Sequence, residues 1–321
     1  MKRFLCAAAL ILVMLLMAGC SGRGEISFGT GSVGGSYYAY GTALTNAITD
    51  DYPELNFKVR ETAGSVANIR LMDGGYVKLA LTQSDILRDA EYGSGMFDRK
   101  ISGYSAIAGL YTEACQIVVS ANSDIKSVGD LYGKRVSLGE KESGVLLNAL
   151  QILSGYGLSE DMIDAEYLSF TNSAAEMEKG NIDAFFCTAG VPTTAVTELA
   201  KLKNIRLLPI DETVANRLID SNRGYTKYTI EAGSYKGQTE DVEVLGIKTV
   251  LIASDELSED AVYKITKGLF DNSTKLQFAA GGSTALDTHS AIEDIPIAFH
   301  SGAEKYYKEQ GINVSKGDGN E

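Results

Sequence analysis

Three small-residue segments carry the types and spacings that could hold a small molecule. Gly29-Thr30-Gly31-Ser32-Val33-Gly34 matches GxGxxG, follows the run Ile26-Ser27-Phe28 and precedes an amphipathic stretch. Glycines let backbone come close to a ligand, and free N–H groups at a helix start attract an anion, carboxylate as well as phosphate. Ser143-Gly144 and Gly190-Val191-Pro192 offer two further helix starts of the same kind. The dinucleotide reading of the first segment is set aside, since the chain opens with an export signal and nicotinamide cofactors are scarce outside the cytoplasm. A nucleophilic Ser32 lacks the GxSxG elbow, because Thr30 stands where the leading glycine belongs, and the only histidines, His289 and His300, lie far along the chain. No enzyme activity is expected.

The export signal is legible in Met1-Lys2-Arg3, the apolar run behind it, and Leu16-Met17-Ala18-Gly19-Cys20. A cationic start, a short apolar segment and small residues before a cysteine form a bacterial lipoprotein leader over residues 1–19, with Cys20 the lipidated residue and 20–25 an anchor and linker. The location is then extracytoplasmic, with the body held to a membrane through the Cys20 lipid. Of four cysteines, Cys6 leaves with the leader and Cys20 carries lipid, so Cys115 and Cys187 remain, neither in a CxxC or Cys/His cluster. No metal site and no cofactor are expected. A net charge of −13 disfavours nucleic acid as a partner and makes a local pocket of donors necessary for any anionic ligand.

These segments must be positioned by regular elements, and one arrangement recurs five times: a short β-branched run, a polar joint, then helical spacing. The units are Ile26–Phe28 with a helix near Tyr37–Thr49, Phe57–Arg60 with Thr62-Ala63-Gly64-Ser65, Val77–Leu81 with Thr82-Gln83-Ser84-Asp85, Arg135–Leu138 with a helix Val145–Leu153, and Ile182–Phe186 with a helix Thr193–Leu202. Pro192 suits a first helical position. The class is α/β, and ligands in such sheets bind beyond the carboxyl ends of strands. Tyr104–Leu110 and Gln116–Ser120 read as two strand-like runs crossing between lobes, with a second crossing in Val242–Ala253. Lobe 1 is expected from 26–112 and 243–321 and an inserted lobe 2 from 113–242; one large doubly wound sheet is the alternative.

The strand-end rule selects the candidate site. A ligand carboxylate is expected against the N–H groups of Val33, Gly34, Gly35 and Ser36, with the Ser32 hydroxyl as an added donor and Tyr37 at the mouth. Lobe 1 adds Thr62, Ser65, Gln83 and Ser84; lobe 2 adds Ser137, Ser143, Gly144, Gly190, Val191 and Pro192. For Gln83 a helix-entry role without ligand stands equally open.

The ordered set Gly29–Tyr38, Gly64–Asn68, Gln83-Ser84-Asp85, Asp130–Gly139, Asn181–Pro192, Tyr235–Gln238 and His300–Gly311 resembles the TAXI group of TRAP-transporter solute-binding proteins. Two departures stand out: Lys141-Glu142 precedes Ser143-Gly144, and Ser301 replaces the family's proline after the late histidine. The first places a carboxylate, Glu142, near the pocket, where it could disfavour an anion or pair with an amino group. The resemblance implies a two-lobed periplasmic-binding-protein-like (type II) fold with a hinge of crossing strands. It also implies a monomer that closes on a small organic acid or amino acid such as glutamate, glutamine or 2-oxoglutarate and delivers it to a TRAP membrane permease subunit. An exported hydrolase or transferase on the same lobes, or a ligand-sensing lipoprotein, is the alternative. In that architecture the strand after Cys115 pairs antiparallel with the strand ending near Cys187, which would bring a disulfide between them within reach.

Overall fold

The computed structural model describes residues 24–222, 224–281 and 286–314. The leader 1–19, Cys20 and the linker up to residue 23 lie outside the described residues, and no helix among those described is long and apolar enough to cross a membrane.

The strands in chain order are β1 Ile26–Gly29, β2 Phe57–Arg60, β3 Leu79–Gln83, β4 Tyr104–Ser120, β5 Arg135–Ser137, β6 Asp164–Glu166, β7 Ala184–Ala189, β8 Ile205–Leu207, β9 Tyr225–Ile230 and β10 Val242–Ser254. They form one sheet in the order β2-β1-β3-β10-β4-β7-β5-β6, with β8 on β4 and β9 on β10. The helices are α1 Ser36–Asp51, α2 Ser65–Asp73, α3 Ser84–Tyr92, α4 Gly144–Gly155, α5 Phe170–Lys179, α6 Thr194–Leu202, α7 Glu212–Ser221, α8 Glu259–Asp271, α9 Ser273–Leu276 and α10 Ser301–Glu309. Serine hydroxyls cap three of them, Ser143 accepting from Leu146 N–H, Ser169 from Asn172 and Ser258 from Ala261.

β1 pairs parallel with β2 and β3, and β5 pairs parallel with β6 and β7, so two βα halves stand at opposite ends of the sheet. Two long antiparallel strands join them, β4 of 17 residues and β10 of 13. The runs Tyr104–Leu110 and Gln116–Ser120 are thus one strand, because Thr112, Glu113 and Ala114 between them stay paired with Lys248, Ile247 and Gly246. Two apolar cores flank this bridge. Ala106, Ile107, Ala108, Val250, Leu251 and Ile252 pack into the first with Phe28, Leu44 and Tyr307. Ala114, Ile117, Val118, Leu245 and Ile247 pack into the second with Leu153, Phe185 and Val196. On β10 the change of core falls after Ile247, a few residues beyond position 243, since Val244, Leu245 and Ile247 face the second core.

Two joints are shorter than their sequence suggests. Thr82 and Gln83 belong to β3 by pairing with Val250 and Thr249, and Cys187, Thr188 and Ala189 belong to β7 by pairing with β4. Pro192 precedes the N-cap Thr193 of α6 and is not the first helical residue. The antiparallel pairing of β4 with β7 is present, yet Cys115 and Cys187 are free and buried. Cys187 lies opposite Gln116, and Cys115 opposite Thr188. Directly opposed residues share a face and neighbours alternate, so this one-residue offset sends the thiols to opposite faces of the sheet. Their contacts agree: Cys115 takes the Thr188 hydroxyl at 3.7 Å, and Cys187 reaches Thr193 at 4.0 Å. The disulfide is therefore withdrawn.

Candidate functional site

The cleft lies where the ends of β1, β2 and β3 meet the start of α4 across the bridging strands. The N-terminal turns of α1, α2 and α4 all line it, through Ser36 and Tyr37, Ser65, and Gly144 and Val145. First-turn N–H groups of a helix have no intrahelical partner and carry the positive end of its dipole. About 40 Å³ is open to the centres of water-sized molecules, so the lobes stand close together and the site suits a compact ligand. A larger groove of about 350 Å³ beside Arg206, Pro209 and Gln238 belongs to the second lobe alone.

Of the candidate residues, Ser32, Gly35, Ser36, Tyr37, Ser65, Gln83, Ser143 and Gly144 line the cleft. The others do not, each for a visible reason. Val33 is half exposed, and its N–H donates to Glu61 Oε1 at 3.0 Å. Gly34 is a lobe-to-lobe contact: its carbonyl accepts from Ala195 N–H at 3.2 Å, and a Cβ there would come within 2.6 Å of Thr171 Oγ1. At φ +94° it also holds a conformation other residues resist. The N–H of Gly35, although at the cleft, is spent on Ser32 C=O at 3.1 Å. Thr62 bonds the Thr30 carbonyl at 2.9 Å and accepts from Gly64 N–H, which shapes the second joint. Ser84 is buried at the start of α3, and Ser137 is paired with Ser173 at 2.8 Å. Gly190 gives its N–H to Ser36 Oγ at 3.0 Å, and the Val191–Pro192 backbone lies against Gly281, where a Cβ would come within 2.6 Å of it, so these residues meet lobe 1 without lining the cavity. Neither histidine lines the cleft; His300 is buried as the N-cap of α10, its Nδ1 accepting from Gly302 N–H.

The floor holds what the motif search missed. Glu113, in mid-β4 and 2% exposed, accepts from the Tyr37 hydroxyl at 3.0 Å. Tyr37 also lies 3.3 Å from Ser65 Oγ, which accepts from Gln83 N–H at 3.2 Å. Gln83 Nε2 donates to Asn148 Oδ1 at 3.1 Å, and Asn148 Nδ2 donates to Asp85 Oδ2 at 3.2 Å and to Tyr225 OH at 3.0 Å. This chain of bonds starts at Glu113 of the bridging strand, runs through Tyr37, Ser65 and Gln83 of lobe 1, and crosses to lobe 2 at the bond from Gln83 to Asn148. Burial pushes the Glu113 carboxyl up to about 8 and the Asp85 carboxyl up to about 7, against the lowering effect of their hydrogen bonds. Glu140 also lines the cleft and is raised by burial, with the Ser32 hydroxyl beside it acting the other way. Glu142, the carboxylate expected near the pocket, instead pairs with Arg70 at the exposed rim and bonds Ala67 N–H through its carbonyl at 2.9 Å. Leu168, Phe170 and Val145 supply the apolar wall. Among the described residues no group of three or more His, Cys, Asp or Glu side chains is placed to hold a metal.

The fold is that of two-lobed periplasmic-binding-protein-like proteins. PhnD1 of Prochlorococcus marinus, solved with methylphosphonate, aligns over 90% of this chain and 99% of its own with a TM-score of 0.55 at 11% identity. The alkanesulfonate-binding protein SsuA of Xanthomonas axonopodis, bound to MOPS, aligns over 90% and 80% with a TM-score of 0.50 at 14% identity. A binding component of an ABC phosphonate transporter from Pseudomonas aeruginosa aligns over 84% and 83% with a TM-score of 0.51 at 12% identity. The chain belongs to the NMT1-like family, whose signature matches residues 28–311.

Proposed function

We propose that this protein is an extracytoplasmic solute-binding receptor of a transporter, capturing a small carboxylate between its lobes and handing it to a membrane permease. The observation that carries the reading is one cleft to which both lobes present helix N-termini, Ser36 and Ser65 from one and Gly144 from the other. NMT1-like membership and the likeness in fold to transporter binding proteins support the receptor role. The resemblance to the TAXI group supports a TRAP-type permease as partner, a lipid anchor at Cys20, and glutamate, glutamine or 2-oxoglutarate as the ligand class. Ligand binding shifts an open–closed equilibrium. The closed form is held by Gly190 to Ser36, Thr171 to the Val33 carbonyl at 2.8 Å, and Gln83 to Asn148. A thermal-shift screen of amino acids and short mono- and dicarboxylates tests the reading. A true ligand at 100 times its Kd stabilises by about 2.7 kcal/mol and is recovered chemically unchanged by mass spectrometry. A ligand that turns over, or a screen in which no carboxylate shifts the melt, overturns it.

A further inference from the structure

The floor of the cleft is rich in hydrogen-bond acceptors, and among the described residues it presents no cation to a purely anionic ligand. Glu113 is buried there, and among the described residues neither lysine, arginine nor histidine lines the cavity. The second carboxylate of the lining, Glu140, faces it from lobe 2. Beside them, Gln83 is 2% exposed, and its Oε1 meets no hydrogen-bond donor among the described residues. That oxygen lies against the start of α4, where a Cβ on Gly144 would come within 1.8 Å of it. A buried acceptor without a donor is costly, and a buried carboxyl is kept neutral for want of a counter-cation, so a cationic donor is the group that both lack among the described residues. The donors of the site are first-turn N–H groups of α1, α2 and α4 other than Leu146, which gives to Ser143 Oγ, and Ala67, which gives to the Glu142 carbonyl, and such groups suit a carboxylate.

We propose that the ligand is zwitterionic, its ammonium set against Glu113 and Gln83 Oε1 and its carboxylate against the helix N-termini, and that Glu113 excludes acids lacking the nitrogen. This rests on the receptor reading and narrows its ligand class from small carboxylates to amino acids. Glu113 is a specificity-determining residue in this account, with Tyr37 fixing its orientation through the 3.0 Å bond. The competing use of the same group is a neutral Glu113 that donates to a ligand carboxylate. The two differ in sign: an ammonium expels the Glu113 proton, while an anion retains it.

Calorimetry on the unmodified chain decides it, with L-glutamate, L-glutamine, glutarate, 2-oxoglutarate and butylamine as probes, each in two buffers of different ionisation enthalpy. The expected result is that an amino acid binds at least 100-fold more tightly than the nitrogen-free acid of the same length and releases close to one proton at pH 7. Glu113→Gln, whose amide imitates the neutral acid, then loses at least tenfold in affinity for the amino acid. Glutarate or 2-oxoglutarate binding as tightly as glutamate overturns the proposal and leaves the receptor reading standing. Unchanged amino-acid affinity in Glu113→Gln overturns it as well. Butylamine binding with no amino acid bound overturns the carboxylate reading while upholding the role of Glu113; silence from the whole panel overturns both. The wild-type panel and proton count decide the matter even where Glu113→Gln folds poorly.

Discussion

The rim and the floor of the cleft join the same two lobes by opposite means. At the rim, Val33, Gly34, Arg70 and Glu142 meet through backbone carbonyls and an exposed ion pair whose side chains keep 43% and 48% of their exposure. At the floor, Glu113, Tyr37, Ser65, Gln83, Asn148 and Asp85 are buried and bonded in series. Water screens the first set and not the second, so a contact at the floor carries more energy than one at the rim. Closure can then be cheap at the rim while selectivity sits at the floor.

The sharpest way to break this contrast is to overfill the floor. Gly144→Val puts a branched side chain where a Cβ alone would lie 1.8 Å from Gln83 Oε1 and 3.1 Å from Ser65 Oγ. Overpacking of this kind costs roughly 1–3 kcal/mol, so ligand affinity should fall by up to about 100-fold while each lobe keeps its own core. Small-angle scattering should then show a more open molecule, and a closed profile with wild-type affinity would remove Gly144 from the lobe interface.

A second test uses the floor's acidity. The Glu113 carboxyl is held at about 8 in the folded chain, with Tyr37, Tyr111, Asp85 and the Cys115 and Cys187 thiols around it and no cation among these groups. Its unfolded value is about 4.3, so between there and pH 8 the folded state holds the extra proton. The stability this confers is full below about pH 4.3 and is lost as pH rises through about 8. Ligand-free Glu113→Gln should therefore gain in Tm relative to wild type between pH 5 and pH 9, on the order of 5 °C. A pH-independent difference would show that Glu113 does not titrate in this range.

The rim should respond more weakly. Gly34→Ala meets Thr171 Oγ1 at 2.6 Å and pays for a φ of +94°, so affinity should drop about tenfold through a less populated closed state. Smaller still, Arg70→Ala breaks an exposed pair with Glu142 and should change affinity by less than about threefold, an effect that fades in high salt. A tenfold loss in Arg70→Ala would erase the distinction between rim and floor.

The helix starts around the cleft were legible in sequence, as were Tyr37 and Gln83 of the floor, whereas Glu113 and Asn148 were not. Ser32 to Tyr37, Ser65, Ser143 and Gly144 sit at strand-to-helix joints, where small residues and capping hydroxyls leave a local signature, and all but Val33 and Gly34 of that set line the cavity. Glu113 carries no such signature, because it lies inside the apolar strand β4 and looks like any polar interruption of an alternating run. Only the pairing of β4 with β10 and β7 brings it beneath Tyr37. Glu142 illustrates the reverse: adjacent in sequence to the Ser143 cap, it turns outward at φ +65° to meet Arg70, while Glu140 two residues earlier faces the cleft.

By itself, then, the chain's order of β-branched runs, small-residue joints and helical stretches determined an α/β body bridged by crossing strands, since those patterns are set by local propensity and burial period. Register, face and partner were decided by tertiary structure. A one-residue offset placed Cys115 and Cys187 on opposite faces of the sheet, the meeting of two lobes made Gly190 a donor to Ser36, and Gln83 Oε1 meets no donor among the described residues. Such outcomes depend on which residues meet across long loops of chain, and no local pattern encodes that meeting.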